Sequence, residues 1–311
     1  MDRKKDVLER EARWSTPVAL ATFFAVALIL ASTLLTQVSG ENEAEILRSV
    51  HEHSGSVVFT GLLQAVGFGL LLFPVLFLFR AVQGRSPRVR AQLIGLMVAA
   101  PLFLAVASGL TGGARSEAAK QFVNGEAKST LSAKEAHEKC TEKQEEENAK
   151  EFREEFEPRQ GETPLSACER QKVEEDEAEN ASSEASLAPI SSGLFLAGAL
   201  GLAVALFYTG LWAMRTGLLS RFWGSLGMAS GVAVLLGPLT IVALVWLAYF
   251  GLLLLGAVPG GKPPAWDAGE AVPWPTPGEK AAAELEPSEP SAEPEANGSG
   301  GEPKRKRKQR D

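Results

Sequence analysis

Four long stretches of this chain contain no Asp, Glu, Lys, Arg or His: residues 17–35, 57–79, 93–110 and 190–214. A helix needs about 20 mainly apolar residues to cross a hydrocarbon core about 30 Å thick, and each stretch is of that order. Inside a bilayer every backbone N–H and C=O must be paired within the chain, so continuous apolar runs of this kind fold as helices. A soluble domain would have to wrap all four with segments that mix apolar and polar residues at helical or strand spacing. The segments between these runs hold little that is apolar. The average composition, 45% hydrophobic and 22% charged, conceals this segregation. An ordinary soluble enzyme is therefore excluded.

The first run follows Arg3, Lys4 and Lys5, as the core of a signal peptide would. Its apolar stretch is too long for that and lacks a small-residue cleavage site, so it reads as an uncleaved anchor. A fifth apolar block, residues 222–258, would rise about 55 Å as one helix, more than a bilayer core needs. Gly237-Pro238 lies inside it, and proline lacks the amide hydrogen and clashes with the preceding turn. Two legs are expected, 222–236 and 239–256, the first short for a span. One kinked span is the alternative.

Basic residues near span ends favour the cytoplasmic side. The N-terminus carries Arg3, Lys4, Lys5, Arg10 and Arg13, the second loop Arg80, Arg85, Arg88 and Arg90, and the turn after the fourth run Arg215 and Arg221. They alternate with the first loop and with segment 111–187, which holds 20 acidic and 11 basic residues. The expected fold is an all-α integral membrane protein with a bundle of six transmembrane helices (five as the alternative), both termini cytoplasmic. Its parts are an N-terminus at 1–16, helices 1–3 at 17–110, an extracytoplasmic acidic helical hairpin at 111–187, helices 4–6 at 188–258, and a disordered tail at 259–311.

In the acidic segment, Ala, Glu and Lys dominate, and Pro158, Gly161 and Pro164 interrupt it. Two helices are expected, 115–156 and 165–185. Phe122, Val123, Leu131, Phe152, Phe156, Leu165 and Val173 are too few to bury a core, so such helices would be marginal alone. Cys140 and Cys168, the two cysteines of the chain, fall one in each helix, in a compartment that permits disulfides. A bond between them would staple the hairpin, worth about 3 kcal/mol in the chain-entropy model. In the first loop, 41–53 reads as one amphipathic turn or two lying on the bilayer surface, with Ile46, Leu47 and Val50 facing down. Trp266 and Trp274 follow the last span among prolines and read as interfacial anchors, or as a docking motif. Lys304-Arg305-Lys306-Arg307-Lys308 could touch anionic lipid.

No constellation for chemistry emerges. His51-Glu52-His53 places two imidazoles about 200° apart on a helix, and three histidines in all leave no zinc motif. No histidine lies in a span to serve a serine nucleophile, and no nucleotide-binding fingerprint occurs. No metal or cofactor is implied, and no nucleic-acid partner. The intramembrane polar residues are mild: Thr60, Gln64, Ser108, Tyr208 and Thr209. Pro74, Pro101 and Pro238 read as kinks. Helix packing is the clearer signal. Gly193, Ala197, Gly201 and Ala205, continued by Thr209 and Ala213, recur every four residues, and Gly227 and Gly231 repeat the spacing, as in helices that approach closely.

Several stretches together resemble a group of multi-pass membrane proteins of high-GC actinobacteria for which no activity is established. They are 51–55 (His-Glu-His-Ser-Gly), 85–87 (Arg-Ser-Pro), 212–224, and Pro263-Pro264-Ala265-Trp266 with 273–279. The resemblance covers residues 45–285 and implies a bacterial plasma membrane. It carries no functional residues over. The expected role is non-enzymatic, an interaction or sensing function through the hairpin, with the bilayer and a protein partner as its contacts. A transporter or channel for a neutral or lipidic solute is the alternative. A membrane enzyme would have to draw on His51, Glu52 and His53.

Overall fold

The computed structural model describes residues 3–36, 38–146, 149–156, 158–236 and 240–275. Among them the regular structure is entirely helical. Four helical stretches are long and apolar enough to cross a membrane: Lys4–Leu35, Ser54–Arg85, Ala91–Val123 and Ala188–Arg215. Each outruns its uncharged core. Helix α1 (Arg3–Leu35) takes in the charged N-terminal segment as well. The second stretch divides into α3 (Ser54–Leu70) and α4 (Leu72–Arg85). Pro74 explains the break at Leu71, because it cannot bond the carbonyl of Leu70 four residues back and its ring crowds that carbonyl. The Leu71 amide turns to the Phe68 carbonyl at 3.1 Å instead. Pro101, by contrast, is carried inside an unbroken α5 (Ile94–Val123).

Helix α5 lies between α3 and α9 (Ala188–Arg215). Glycines set both spacings. A Cβ on Gly61 would lie 3.1 Å from the Ser108 carbonyl oxygen, and one on Gly112 3.2 Å from that of Val57. On the other flank a Cβ on Gly198 would lie 2.8 Å from the Leu104 nitrogen, and one on Gly201 2.9 Å from the Ala100 methyl. Helix α10 (Arg221–Leu235) packs antiparallel on α9, with Gly231 against the Ala203 backbone and Gly210 against Gly224. Helix α11 (Thr240–Leu255) packs on α10 and α1. There Gly227 admits the Trp246 ring, Trp246 Nε1 donates to the Trp223 carbonyl at 2.9 Å, and Trp223 stacks on Tyr249 at 3.4 Å.

The period-four stripe on α9 needs correction. Gly201 and Ala205 are buried, whereas Gly193 and Ala197 are exposed and nothing lies near a Cβ placed on Gly193. Four residues turn about 400°, so the stripe drifts by about 40° per repeat and leaves a straight neighbour after two or three steps. Gly198, outside the stripe, makes the tighter contact.

Helices α10 and α11, of 15 and 16 residues, are short for spans. The pairing of Gly210 with Gly224 and of Ala203 with Gly231 puts Leu235 opposite about residue 199 of α9. The first part of α9, from Ala188 to Gly198, therefore extends about 15 Å beyond the end of α10. Gly237-Pro238 lies outside the described residues.

Beyond the bundle α5 continues into a module formed with α2 (Glu43–Glu52), α6 (Ala133–Glu146), α7 (Ala149–Glu155) and α8 (Pro164–Glu184). The two helices expected over 115–156 and 165–185 are thus α6, α7, α8 and the end of α5. Asn124-Gly125 ends α5, with Gly125 at φ 68°. Ser132 and Glu135 start α6 as a capping box: the Ser132 amide donates to the Glu135 carboxylate at 2.9 Å and the Glu135 amide to the Ser132 hydroxyl at 3.3 Å. The Cys140 and Cys168 sulfurs lie at bonding distance, 2.06 Å, with Cα atoms 6.0 Å apart. They are fully buried with Phe152, Phe156 and Ala167. A second small core joins Leu47 and Val50 of α2 to Ala118 and Ala119 of α5 and Ala178 and Ala181 of α8. Alanine supplies the burial that the scarce large residues could not. The apolar face of α2, including the half-buried Ile46, accordingly meets protein rather than lipid.

The opposite end is closed by a strap, residues 259–275, containing α12 (Pro264–Ala268). Trp266 and Trp274 are not free anchors: their indole nitrogens donate to the carbonyls of Leu218 and Leu219, each at 2.9 Å. Arg85 of α4 forms a bidentate pair with Glu11 of α1 at 2.5 and 2.8 Å and also donates to the Ala265 carbonyl at 2.9 Å. Residues 259–275, expected as part of the tail, are therefore fixed against the bundle, and 276–311, with the basic cluster 304–308, lies outside the described residues.

Alanine at Gly231, where the new Cβ would sit 2.7 Å from the Ala203 carbonyl oxygen, is expected to destabilise the bundle by about 1–3 kcal/mol. Alanine at the open Gly193 is expected to be neutral. Thermal unfolding of both variants in the same detergent checks the contrast.

Candidate functional site

Where α10 and α11 stop, the described residues leave a gap between α1 and α9. A cavity of about 740 Å³ occupies it. Thr33 of α1 and Thr36 just past its end form one wall, Ser191, Ser192 and Phe195 of α9 the other. Gln64 of α3 and Ser108, Thr111 and Arg115 of α5 form the floor. Glu43 of α2 and Ser182 of α8 form the roof, so the module covers the cavity end-on. A smaller recess, reaching Ser32, Thr60, Gly61 and Gly112, adjoins it and shares the floor residues.

This lining is polar at a depth where the helices are otherwise apolar. Most of its hydroxyls are satisfied by their own helices. Thr33 donates to the Leu30 carbonyl, Thr36 to Ser32 and Thr111 to Ala107, at 2.7–2.8 Å, and Ser191 to Ala188 at 3.0 Å. Such back-bonding is how hydroxyls are tolerated within apolar helices. Ser108 is different. It is 5% exposed, and its hydroxyl has no hydrogen-bond partner among the described residues. The half-buried Gln64 amide likewise has none, and Arg115, which is exposed, makes no ion pair among them. Buried polar groups are nearly always paired with protein, water or ligand. Glu43 accepts the Ser182 hydroxyl at 2.9 Å and holds α2 to α8 across the roof.

Below the cavity the bundle is filled. Ile29, Phe68, Leu104, Leu202, Leu206 and Leu247 leave only about 40 Å³ of apolar space. The cavity therefore ends on an apolar plug part of the way through the bundle.

The module is held above it by charge. Arg48 of α2 pairs with Glu174 of α8 at 2.8 Å, and its guanidinium lies over the Phe122 ring. Asp176 of α8 accepts from the Ser129 hydroxyl at 2.7 Å and from the amides of Thr130 and Leu131 at 2.6 and 3.0 Å. The Ser129 hydroxyl, aided by the Leu131 and Thr130 amides, holds its carboxyl below the ordinary aspartate range.

Of the residues singled out from sequence, Gln64 and Ser108 line the cavity and Thr60 the adjoining recess, while Tyr208 and Thr209 lie elsewhere on α9. Tyr208 instead accepts the Arg90 amide at 3.3 Å. His51 and Glu52 are exposed and His53 Nδ1 lies 3.0 Å from the Ser49 carbonyl, all outside the cavity lining. No group of three or more His, Cys, Asp or Glu side chains converges among the described residues. Arg115, Glu43, Ser182, Ser191 and Ser192 escaped the sequence reading. Arg115 carried one signal, as the first charge after a long apolar run. No family model matches this chain, and neither a curated protein nor a solved structure is significantly similar to it.

The depressed carboxyl of Asp176 gives the module a pH dependence of known sign. Its folded-state affinity for a proton is lower than in the unfolded chain, so its stabilisation is complete above the ordinary aspartate value, about 4, and is lost as pH falls through the folded value. The amides of Thr130 and Leu131 are expected to be protected from hydrogen exchange at neutral pH and to lose that protection in stronger acid. Asp176→Ala should expose them at both pH values, at a local cost of about 1–3 kcal/mol.

Proposed function

We propose that this is a non-enzymatic multi-pass protein of a bacterial plasma membrane with an interaction or sensing role, in which the disulfide-bearing module reports on the bundle beneath it. The observation that carries the reading is the roof of the cavity. Glu43 and Ser182 belong to the module, so anything occupying the cavity touches the module directly. The basic residues Arg80, Arg88, Arg90, Arg215 and Arg221 favour the strap end as cytoplasmic, which leaves the module and its hairpin of α6 and α8 outside. We read α10 and α11 as two short legs that complete six and return the chain to its starting side. The acidic outer face of α6 is offered to a protein partner, and the basic cluster 304–308 to anionic lipid.

The test separates the reporting part of the module from its roof. The core around Cys140, Phe152 and Phe156 is distinct from the core that joins α2, α5 and α8. Replacing 133–156 by a short Gly-Ser linker, with Cys168→Ser, should leave the protein in the membrane with its cavity roofed. Cells carrying it are expected to match the gene deletion in their proteome response. A wild-type response from this variant would sink the sensing role.

The cavity also lends support to the second reading, a carrier for a neutral or lipidic solute. The apolar plug of Ile29, Phe68, Leu104 and Leu206 weighs against passage across the bundle. Vesicles reconstituted with the protein are expected to exchange fluorescent lipids between leaflets no faster than empty vesicles; acceleration would favour the carrier.

A further inference from the structure

We propose that the cavity holds the headgroup of a membrane lipid that carries both a phosphate and a primary amine, the phosphate at Arg115 and the amine at Glu43. This rests on the sensing reading and names its ligand.

The charge inventory carries the argument. Among the described residues the lining contains one cation, Arg115, and one anion, Glu43. They share the cavity without pairing with each other, and neither has an ion pair among the described residues. A purely anionic guest would leave Glu43 facing like charge, and a purely cationic one would do the same to Arg115. A guest with both signs satisfies both. Guanidinium matches phosphate in shape and charge, donating two parallel hydrogen bonds. Glu43 spends one carboxylate oxygen on the Ser182 hydroxyl at 2.9 Å, leaving the other to accept from an ammonium N–H. A quaternary choline group has no such hydrogen to give.

A second observation is independent of these charges. The Ser108 hydroxyl is buried, lines the cavity and has no hydrogen-bond partner among the described residues. With the Gln64 amide it supplies a donor and acceptor pair within the cavity for the remaining phosphate or glycerol oxygens. Depth and opening decide the source of the guest. Gln64 and Ser108 belong to the apolar spans, and α10 and α11, which link α9 to α1 lower down, stop short of this level among the described residues. The gap opens sideways between Leu34, 82% exposed, and Phe195 and Leu196, 46% and 59% exposed. Acyl chains can leave along these side chains while the headgroup stays inside. A soluble zwitterion would match the charges but not this apolar flank.

The experiment uses the full chain in nanodiscs containing spin-labelled lipids with identical acyl chains and ethanolamine, choline or glycerol headgroups. The wild type is expected to immobilise the ethanolamine lipid on the order of tenfold more than the other two, about the effect of one charge-assisted hydrogen bond. Arg115→Gln should lose the immobilised fraction for all three. Glu43→Gln should keep binding but level the three headgroups. Lys120→Gln, a residue of α5 that is exposed as Arg115 is but lies outside the cavity lining, should behave as wild type and shows that a boundary cation alone does not suffice. Equal retention of the three lipids by the wild type, or retention undiminished in Arg115→Gln, overturns the proposal. Displacement of the label by millimolar soluble phosphoethanolamine would also overturn it, by making the guest a soluble zwitterion. The linker variant lacking 133–156 is read by cell response and not by lipid retention, so the sensing role and its ligand can fail separately.

Discussion

Helix α5 touches α3 on one flank and α9 on the other at backbone distance, and the rest of the molecule is arranged around that double contact. Among helices in lipid, association draws little from the hydrophobic effect, because tails are as apolar as leucine side chains. Close packing must supply it instead. Gly61 and Gly112 bring α3 against α5, and Gly198 and Gly201 bring α9 against it. With both neighbours fixed, α5 can run on past the apolar run to Val123 and carry its alanines, Ala118 and Ala119, into the core of the module. The module is therefore seated on the same rod that organises the bundle.

The cavity follows from a mismatch of lengths. Helix α9 has 28 residues and α10 has 15, and their register aligns them at the strap end. The missing turns of α10 and α11 leave the module end of α1 and α9 without a neighbour between them among the described residues. A chain whose helices were all apolar there would close or take in lipid tails. This one lines the gap with hydroxyls, an amide and one guanidinium. Thr33, Thr36 and Thr111 satisfy themselves through their own carbonyls and cost little. Ser108 and Gln64 do not, which separates a lining that is merely tolerated from one with unmet hydrogen-bonding capacity.

The membrane-crossing helices were legible because their signal is local: a run without charge can be read residue by residue. So were the cysteine pair and three residues of the cavity and its recess, Thr60, Gln64 and Ser108, since polar side chains stand out in an apolar run. What escaped depends on pairing between distant segments. The period-four stripe on α9 named Gly193 and Ala197, but helical drift turns them away from α5, and only the register of the two helices selects Gly198. Scarcity of large apolar residues in 111–187 argued against a core, yet alanine packed on alanine provides one where a neighbouring helix is already fixed. Trp266 and Trp274 looked like membrane anchors because nothing in sequence announces that the carbonyls of Leu218 and Leu219 will face them. Arg115 and Glu43 lie in segments far apart, and no local pattern could place them in one cavity.

The two ends of the bundle are held by different means, and the difference bears on how the protein works. At the strap end Arg85 and Glu11 are almost wholly buried, paired twice, and tied to the strap through the Ala265 carbonyl. Trp266 lies within 5.4 Å of the same guanidinium. Breaking a buried pair leaves a naked charge, a loss of about 3–5 kcal/mol, so this end resists rearrangement. At the module end the links are half-exposed ion pairs and single hydrogen bonds, such as Arg48 with Glu174 and Ser182 with Glu43. Exposed pairs of this type contribute about 0–1 kcal/mol each. Local opening is favoured where the polar links are weak. The roof over the cavity is tied to its neighbours by weaker polar links than the strap end, beside the alanine-rich core that joins α2, α5 and α8, and it is the part that a guest in the cavity touches.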